Sequence, residues 1–310
     1  MFTKTIKKII SKFPISFLNG KRFIFCYHDI SSPKEAHHAP QHYSTTIEAF
    51  KEQIQFFKAN CNLVSLEDIV LTENLPKNKV HVSITFDDGF YSVLQNAHPI
   101  LKKEGIPYSL FVNKEAITNN QLWVSNLILH SGNTSYLSKV YENCLPFDLR
   151  KEDFLANPLQ YISRFIFHEK AAEALRITDA TLPKTYLNIE ELKTLKNEGV
   201  SIGNHTQHHF VLSECSPALQ MEEIRGNAHF LKEAIGDVNP FFAIPFGKKE
   251  HFNSNTISIS TDSGHTHHLN TNVNSYKKGD TLVPRLVLTN ESINDVIFYM
   301  NRTLFKTYDL

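Results

Sequence analysis

Short apolar runs that each stop at a polar or Gly/Pro cluster, with helical periodicity between them, most narrow what this chain can fold into. The runs are residues 23–27, 80–86, 108–112, 200–203, 241–244, 256–260 and 282–288. Each suits a buried strand and is too short for an independent helix. Between them Ile47, Phe50, Ile54 and Phe57 recur at helical spacing, as do Leu192 and Leu195. Residues 216–235 read as a long helix with Pro217 in its first turn and Gly236 as its stop. Strands alternating with helices predict an α/β fold on a parallel sheet. No GxGxxG turn follows any run, so a closed or distorted (β/α) barrel is expected ahead of an open doubly wound sheet.

The rhythm breaks over residues 119–185, where helical material around 122–130, 136–141 and 159–175 is joined by no clear strand. We expect a helical insertion there, inside one barrel domain spanning 21–305, preceded by a basic segment at 1–20. That segment sets Lys4, Lys7, Lys8 and Lys12 among Ile6, Ile9, Ile10 and Phe13. It lacks the unbroken apolar stretch of a signal peptide or a membrane span. A surface helix packed on the domain is the favoured reading, and weak contact with an anionic membrane surface is the alternative. Lys+Arg and Asp+Glu balance at 32 each, which argues against a nucleic-acid groove. Cys26, Cys61, Cys144 and Cys215 form no CxxC pair and read as reduced thiols, so a cytoplasmic protein, peripheral at most to a membrane, is expected. The oligomeric state is left open.

Chemistry concentrates where the runs end. Ser83-Ile84-Thr85-Phe86-Asp87-Asp88-Gly89 closes one run with two adjacent carboxylates and a Gly that permits a sharp turn. Neighbouring side chains on such a turn diverge, so one can bind a metal while the other faces an attacking water. An ordinary Asp-Asp-Gly turn accounts for the same residues. Ser201-Ile202-Gly203-Asn204-His205-Thr206-Gln207-His208-His209 closes another run. On one helical turn His205 and His209 would face the same way and share a metal, with His208 pointing elsewhere. With a carboxylate from another strand end they form a His-His-Asp facial set that leaves positions open. Phe242-Ala243-Ile244-Pro245-Phe246-Gly247 ends a third run in a rigid turn suited to presenting backbone N–H groups, or is simply a strand-to-loop turn. Arg285, set in an apolar run, needs a carboxylate partner if buried, and Asp87 is the candidate; a solvent-facing edge position is the other reading.

Thr-Phe-Asp-Asp-Gly at 85–89, His-Thr-x-x-His at 205–209 and Pro-Phe-Gly at 245–247 resemble the successive motifs of the polysaccharide deacetylase family (NodB homology). Phe25-Cys26-Tyr27-His28-Asp29-Ile30 and Pro284-Arg285 resemble the branch that includes poly-N-acetylglucosamine deacetylases. The resemblance spans roughly residues 22–290. It implies a distorted (β/α) barrel and a divalent metal, zinc ahead of cobalt, nickel or iron, held by Asp88, His205 and His209. It also implies that Asp87 is the catalytic base. The reaction implied is hydrolysis of the N-acetyl group of an N-acetylated sugar in a polysaccharide, oligosaccharide or glycan precursor. Arg285 is expected to assist Asp87, and Pro245, Phe246, Gly247 and His28 to contact substrate.

Two departures stand against the resemblance. The late Leu-x-His motif that usually supplies the proton for the leaving amine is absent after Arg285, leaving His265, His267, His268 and His28 as candidates. The Arg often found at the start of the third motif is replaced near Ala243, and Arg285 is expected to supply that charge from a neighbouring strand. A carbohydrate-binding relative that kept the barrel and lost turnover is the competing function.

Overall fold

The structure is a computed structural model that describes residues 7, 9–32, 43–168, 170–177, 183–236 and 239–305. Its strands, in chain order, are β1 (Arg22–Tyr27), β2 (Asp29–Ile30), β3 (Ser44–Thr45), β4 (Asn62–Leu63) and β5 (His81–Phe86). There follow β6 (Tyr108–Val112), β7 (Ser201–Asn204), β8 (Phe241–Ala243), β9 (His267–Thr271) and β10 (Leu282–Val287). Seven of these are parallel and close on themselves, because β1 pairs with β5 on one side and with β10 on the other. Cys26 marks the seam, facing Thr85 across one ladder and Val287 across the other. The short β4 adds to the first residues of β5, and β2 pairs with β3 separately.

Side chains alternate across a strand, so a closed sheet has two apolar faces to bury. Ile24, Phe111, Phe241, Ala243, Leu269 and Val283 cluster inside the ring. Phe23, Phe25, Ile84, Leu110 and Ile202 belong to the core shared with the surrounding helices. Helix Ile47–Asn60 packs Phe50, Ile54 and Phe57 inward. Helix Pro217–Ile235 is capped by the Ser216 hydroxyl, which accepts from the Leu219 N–H, and stops at Gly236 with φ 73°. Among the described residues no helix is long and apolar enough to cross a membrane.

One expected strand is a helix. Residues 256–260 lie in helix Ser254–Asp262, although their Thr-Ile-Ser-Ile-Ser alternation matches a strand. Asn253 caps that helix, and the buried residues are Thr256, Ile259 and Ser260, which is helical spacing. The barrel strand the reading lacked is β9, whose buried His268 and Asn270 hide it from any apolar pattern; the two-residue β2, β3 and β4 outside the ring were not expected either.

From β6 to β7 the chain is helical, through Lys114–Asn119, Trp123–Leu129, Thr134–Cys144, Lys151–Ala156 and Ala171–Leu175. These helices share a small core of their own around Leu127, Phe154 and Phe165, which extends onto Phe210 and Val211 beside β7. Residues 178–182, within the expected insertion, lie outside the described residues, as do Lys4, Ile6 and Lys8 of the basic segment. Of that segment, Ile10 is buried, and the Asn301 side chain donates to the carbonyls of Ile10 and Phe13, fastening it to the last helix.

Small residues leave room inside the barrel. A β-carbon on Gly203 would lie 2.4 Å from the Phe111 ring. Gly203→Ala should therefore destabilise the fold by about 1–3 kcal/mol through overpacking, read as a lower thermal midpoint. Adding Phe111→Leu should restore most of that loss.

Candidate active site

β5 ends in two carboxylates that point to different partners because the backbone turns left-handed between them. Asp88 has φ 70° and Gly89 φ 77°, a region that Asp tolerates better than most residues and Gly adopts freely. Asp87 points into the barrel, where Arg285 of β10 grips both its oxygens: Nη1 donates to Oδ1 and Nη2 to Oδ2, each at 2.7 Å. The guanidinium is fully buried and stands 5.6 Å over the Phe111 ring. Burial by itself would raise the Asp87 carboxyl, but the charges of Arg285 and His205 outweigh it and hold it well below the usual carboxylate range. The Cys26 thiol donates to Asp87 Oδ2 at 3.4 Å, a contact no motif suggested. Arg285 does not come from a strand next to Ala243: β9 stands between β8 and β10.

The segment after β7 is not the helical turn expected of a His-x-x-x-His spacing. Thr206 and His209 have φ 69° and 62°, so the chain coils through an irregular loop that brings the two imidazoles together by another route. Side chains hold that loop throughout. Asn204 Oδ1 accepts the Thr206 N–H, Asn113 donates to the His205 carbonyl, and Thr206 Oγ1 accepts the His209 N–H. The Glu223 carboxylate accepts both the N–H of His208 and its Nδ1. His208 is thus tied to helix Pro217–Ile235.

Asp88, His205 and His209 converge, with ligand atoms all within 4.8 Å of one another. Asp88 Oδ1 lies 3.4 Å from Nε2 of His205 and 3.4 Å from Nε2 of His209, and it is buried with no hydrogen-bond partner. Ligands bound about 2.0–2.1 Å from one tetrahedral zinc ion would stand about 3.4 Å apart. His205 Nδ1 donates to the Ala243 carbonyl at 2.8 Å, which leaves its Nε2 lone pair for the cluster, the outer-shell pattern of a metal-ligating histidine. Burial lowers the His209 pKa to about 4, against the pull of Asp88, so that ring is neutral as a ligand must be. His205 behaves oppositely, since Asp87 and Asp88 outweigh burial and raise it. The donor set fits a divalent cation.

These groups floor a cavity of about 220 Å³. His28 and Phe246 line it, as do Tyr43, Phe90, Leu122, Val124, Ser125 and Lys248, none of which any motif marked. Pro245 and Gly247 do not reach the wall. The Gly247 N–H is spent on the Pro245 carbonyl at 2.7 Å, and a β-carbon on Gly247 would lie 2.7 Å from the Thr271 backbone nitrogen. The two residues form the turn that sets Phe246 at φ 60° and presents its ring. Among the candidate proton donors, His265 is engaged at both nitrogens, by Asn204 and by the Asn239 carbonyl, and neither it nor His267 nor His268 lines the cavity. His28 does, its ring centroid 5.1 Å from that of Tyr43.

A family profile described as Polysaccharide deacetylase matches residues 74–268, more than half of the chain. This chain belongs to the polysaccharide deacetylase family. It is 26% identical over 181 residues to the poly-beta-1,6-N-acetyl-D-glucosamine N-deacetylase of Staphylococcus epidermidis. That match takes in 53% of this chain but 61% of the relative, less than two thirds of its length. Solved structures share the fold. IcaB from Ammonifex degensii aligns with a TM-score of 0.61 at 19% identity over 91% of this polysaccharide deacetylase and 98% of its own chain. The Streptococcus pyogenes deacetylase PplD, solved in complex with acetate, aligns at 0.58 and 19% identity over 94% and 99% of the two chains. The fold of this polysaccharide deacetylase is accordingly the NodB-type (β/α) barrel, and its loops at the C-terminal strand ends are where such barrels carry their chemistry.

Proposed function

We propose that this chain is a metal-dependent N-deacetylase that hydrolyses the N-acetyl group of a sugar in a polysaccharide, oligosaccharide or glycan precursor, releasing acetate. The observation that carries the reading is a buried, ionised carboxylate, Asp87, fixed by Arg285 beside a separate carboxylate–imidazole cluster at the floor of one cavity. A binding site alone has no use for a general base in that place. The polysaccharide class rests on family membership and on what the Staphylococcus epidermidis relative is said to act on.

Asp88, His205 and His209 would hold the cation; two imidazoles with one carboxylate is a set that zinc shares with ferrous iron, and the family resemblance puts zinc first. When bound, it supplies Lewis-acid polarisation of the acetamide carbonyl and lowers the pKa of water. Asp87 takes the proton of the attacking water as the C–O bond forms. Arg285 keeps Asp87 ionised and in place. As the C–N bond breaks, His28 in its imidazolium form delivers a proton to the amine nitrogen, the role left open by the missing late motif, and is reprotonated before the next turnover. Burial lowers its pKa, and the charges of Asp88 and Asp87 pull the other way. Leu122, Val124 and Phe246 give the cavity an apolar wall that excludes water and suits the acetyl methyl group. His28 supports turnover over the non-catalytic binding reading, which drew its strength from the lack of a proton donor.

Purified protein stripped of metal and reloaded with zinc, cobalt or nickel should release acetate from N-acetylated glucosamine oligomers only in the reloaded forms. Tight metal uptake with no acetate from any N-acetylated sugar would move the reading to a sugar-binding protein.

A further inference from the structure

We propose that the helical insertion between β6 and β7 is an outer support of the metal centre, with Trp123 as its positioning residue. This rests on the reading of Asp88, His205 and His209 as ligands. His209 is held with φ 62°, a conformation that a residue bearing a β-carbon adopts only when its surroundings impose it. Its N–H is tied within the loop, to Thr206 Oγ1 at 3.1 Å. Its carbonyl is tied from outside: the Trp123 indole N–H donates to it at 3.0 Å.

The insertion fixes that indole. Trp123 begins helix Trp123–Leu129 and is nearly fully buried. Its ring packs on Phe165 and Phe167 of the insertion, with centroids 5.1 and 5.4 Å away. Phe246 stands 6.2 Å from it as well, and the Phe246 ring lies 4.7 Å from that of His209. One side chain therefore touches both the backbone of a ligand and the ring that flanks the ligand's imidazole.

The far end of the insertion fastens the same loop a second time. Arg176, just after helix Ala171–Leu175, forks the Glu115 carboxylate with two bonds of 2.7 Å, and the Glu115 N–H donates to the Gln207 carbonyl at 2.9 Å. Outer partners of this kind set the direction of a ligand, and their loss weakens metal affinity about 10–100-fold.

The test is zinc affinity of the full chain, measured by chelator competition, together with the visible absorption of the cobalt form and the thermal midpoint of the metal-stripped protein. Trp123→Phe keeps the aromatic packing and removes only the donor. It should weaken zinc binding about tenfold or more and shift the cobalt bands, with the metal-stripped midpoint close to wild type. Arg176→Gln, at a half-exposed position and with an amide N–H still to offer the buried Glu115, should weaken zinc binding in the same direction, and its metal-stripped midpoint separates that loss from the cost of the broken ion pair. Phe154→Leu, whose ring meets Phe165 at 6.2 Å and so stands one contact removed from the indole, should lower the midpoint and weaken zinc binding less than Trp123→Phe does. Wild-type affinity in both Trp123→Phe and Arg176→Gln would overturn the proposal, and so would a loss in Phe154→Leu equal to that in Trp123→Phe. A wild-type chain that takes up no zinc would overturn the ligand reading and this proposal with it.

Discussion

Asp87→Asn is expected to lower kcat/KM for acetate release by about 10²–10⁴-fold, the usual share of a general base, while zinc affinity stays at the wild-type value. The substitution does a second thing that has to be separated from the first. It leaves the buried Arg285 without a counter-charge, and removing one partner of a buried ion pair costs about 3–5 kcal/mol. Urea unfolding should show that loss directly. The double variant Asp87→Asn/Arg285→Gln puts a neutral pair in place of the charged one and should recover much of the stability with no return of turnover. Recovery of both would mean that Asp87 serves only to hold Arg285.

His28→Ala carries the other large effect. An alkylamine is a poor leaving group until it is protonated, so loss of the donor should cost about 10²–10⁴-fold on an N-acetylated sugar. An aryl acetate, whose phenolate departs without a proton, should be hydrolysed almost as fast as by the wild type. Zinc uptake by Asp88, His205 and His209 should not change, since His28 belongs to the separate group it forms with Cys26 and Asp87. An equal loss on amide and ester would assign the proton to another source. The segment bearing His28 is anchored independently of its ring: the neighbouring Asp29 accepts hydroxyl bonds from Ser31, Ser44 and Ser92, so the Ala variant should fold.

Motifs and apolar runs carried the sequence reading where each element buries a repeating pattern. Six of the seven expected strands are strands, and Asp87, Asp88, His205, His209 and Arg285 meet as expected because each sits at or near the end of one. The reading failed where burial is polar or conformation is set from a distance. The Thr-Ile-Ser-Ile-Ser alternation carries no mark of the Asn253 cap that makes it a helix, and β9 buries a His and an Asn that no hydrophobic count detects. Spacing alone also suggested a helical turn for the two histidines. The left-handed Thr206 and His209 depend on Asn113, Glu223 and Trp123, which lie far away in the chain and are joined to the loop only by folding. Tyr43, Phe90 and Lys248 reached the cavity unannounced for the same reason.

The seam of the barrel has a consequence for how the protein comes into being. The guanidinium beside Asp87 arrives on β10, the last of the described strands in chain order, which closes the ring by pairing with β1, the first of them. A growing chain that has already emerged through β9 holds both histidines and both aspartates, yet Asp87 has no cation beside it and the ring stands open. A chain cut short before residue 282 lacks both that closing ladder and the partner of Asp87, and should release no acetate however well its earlier helices have formed.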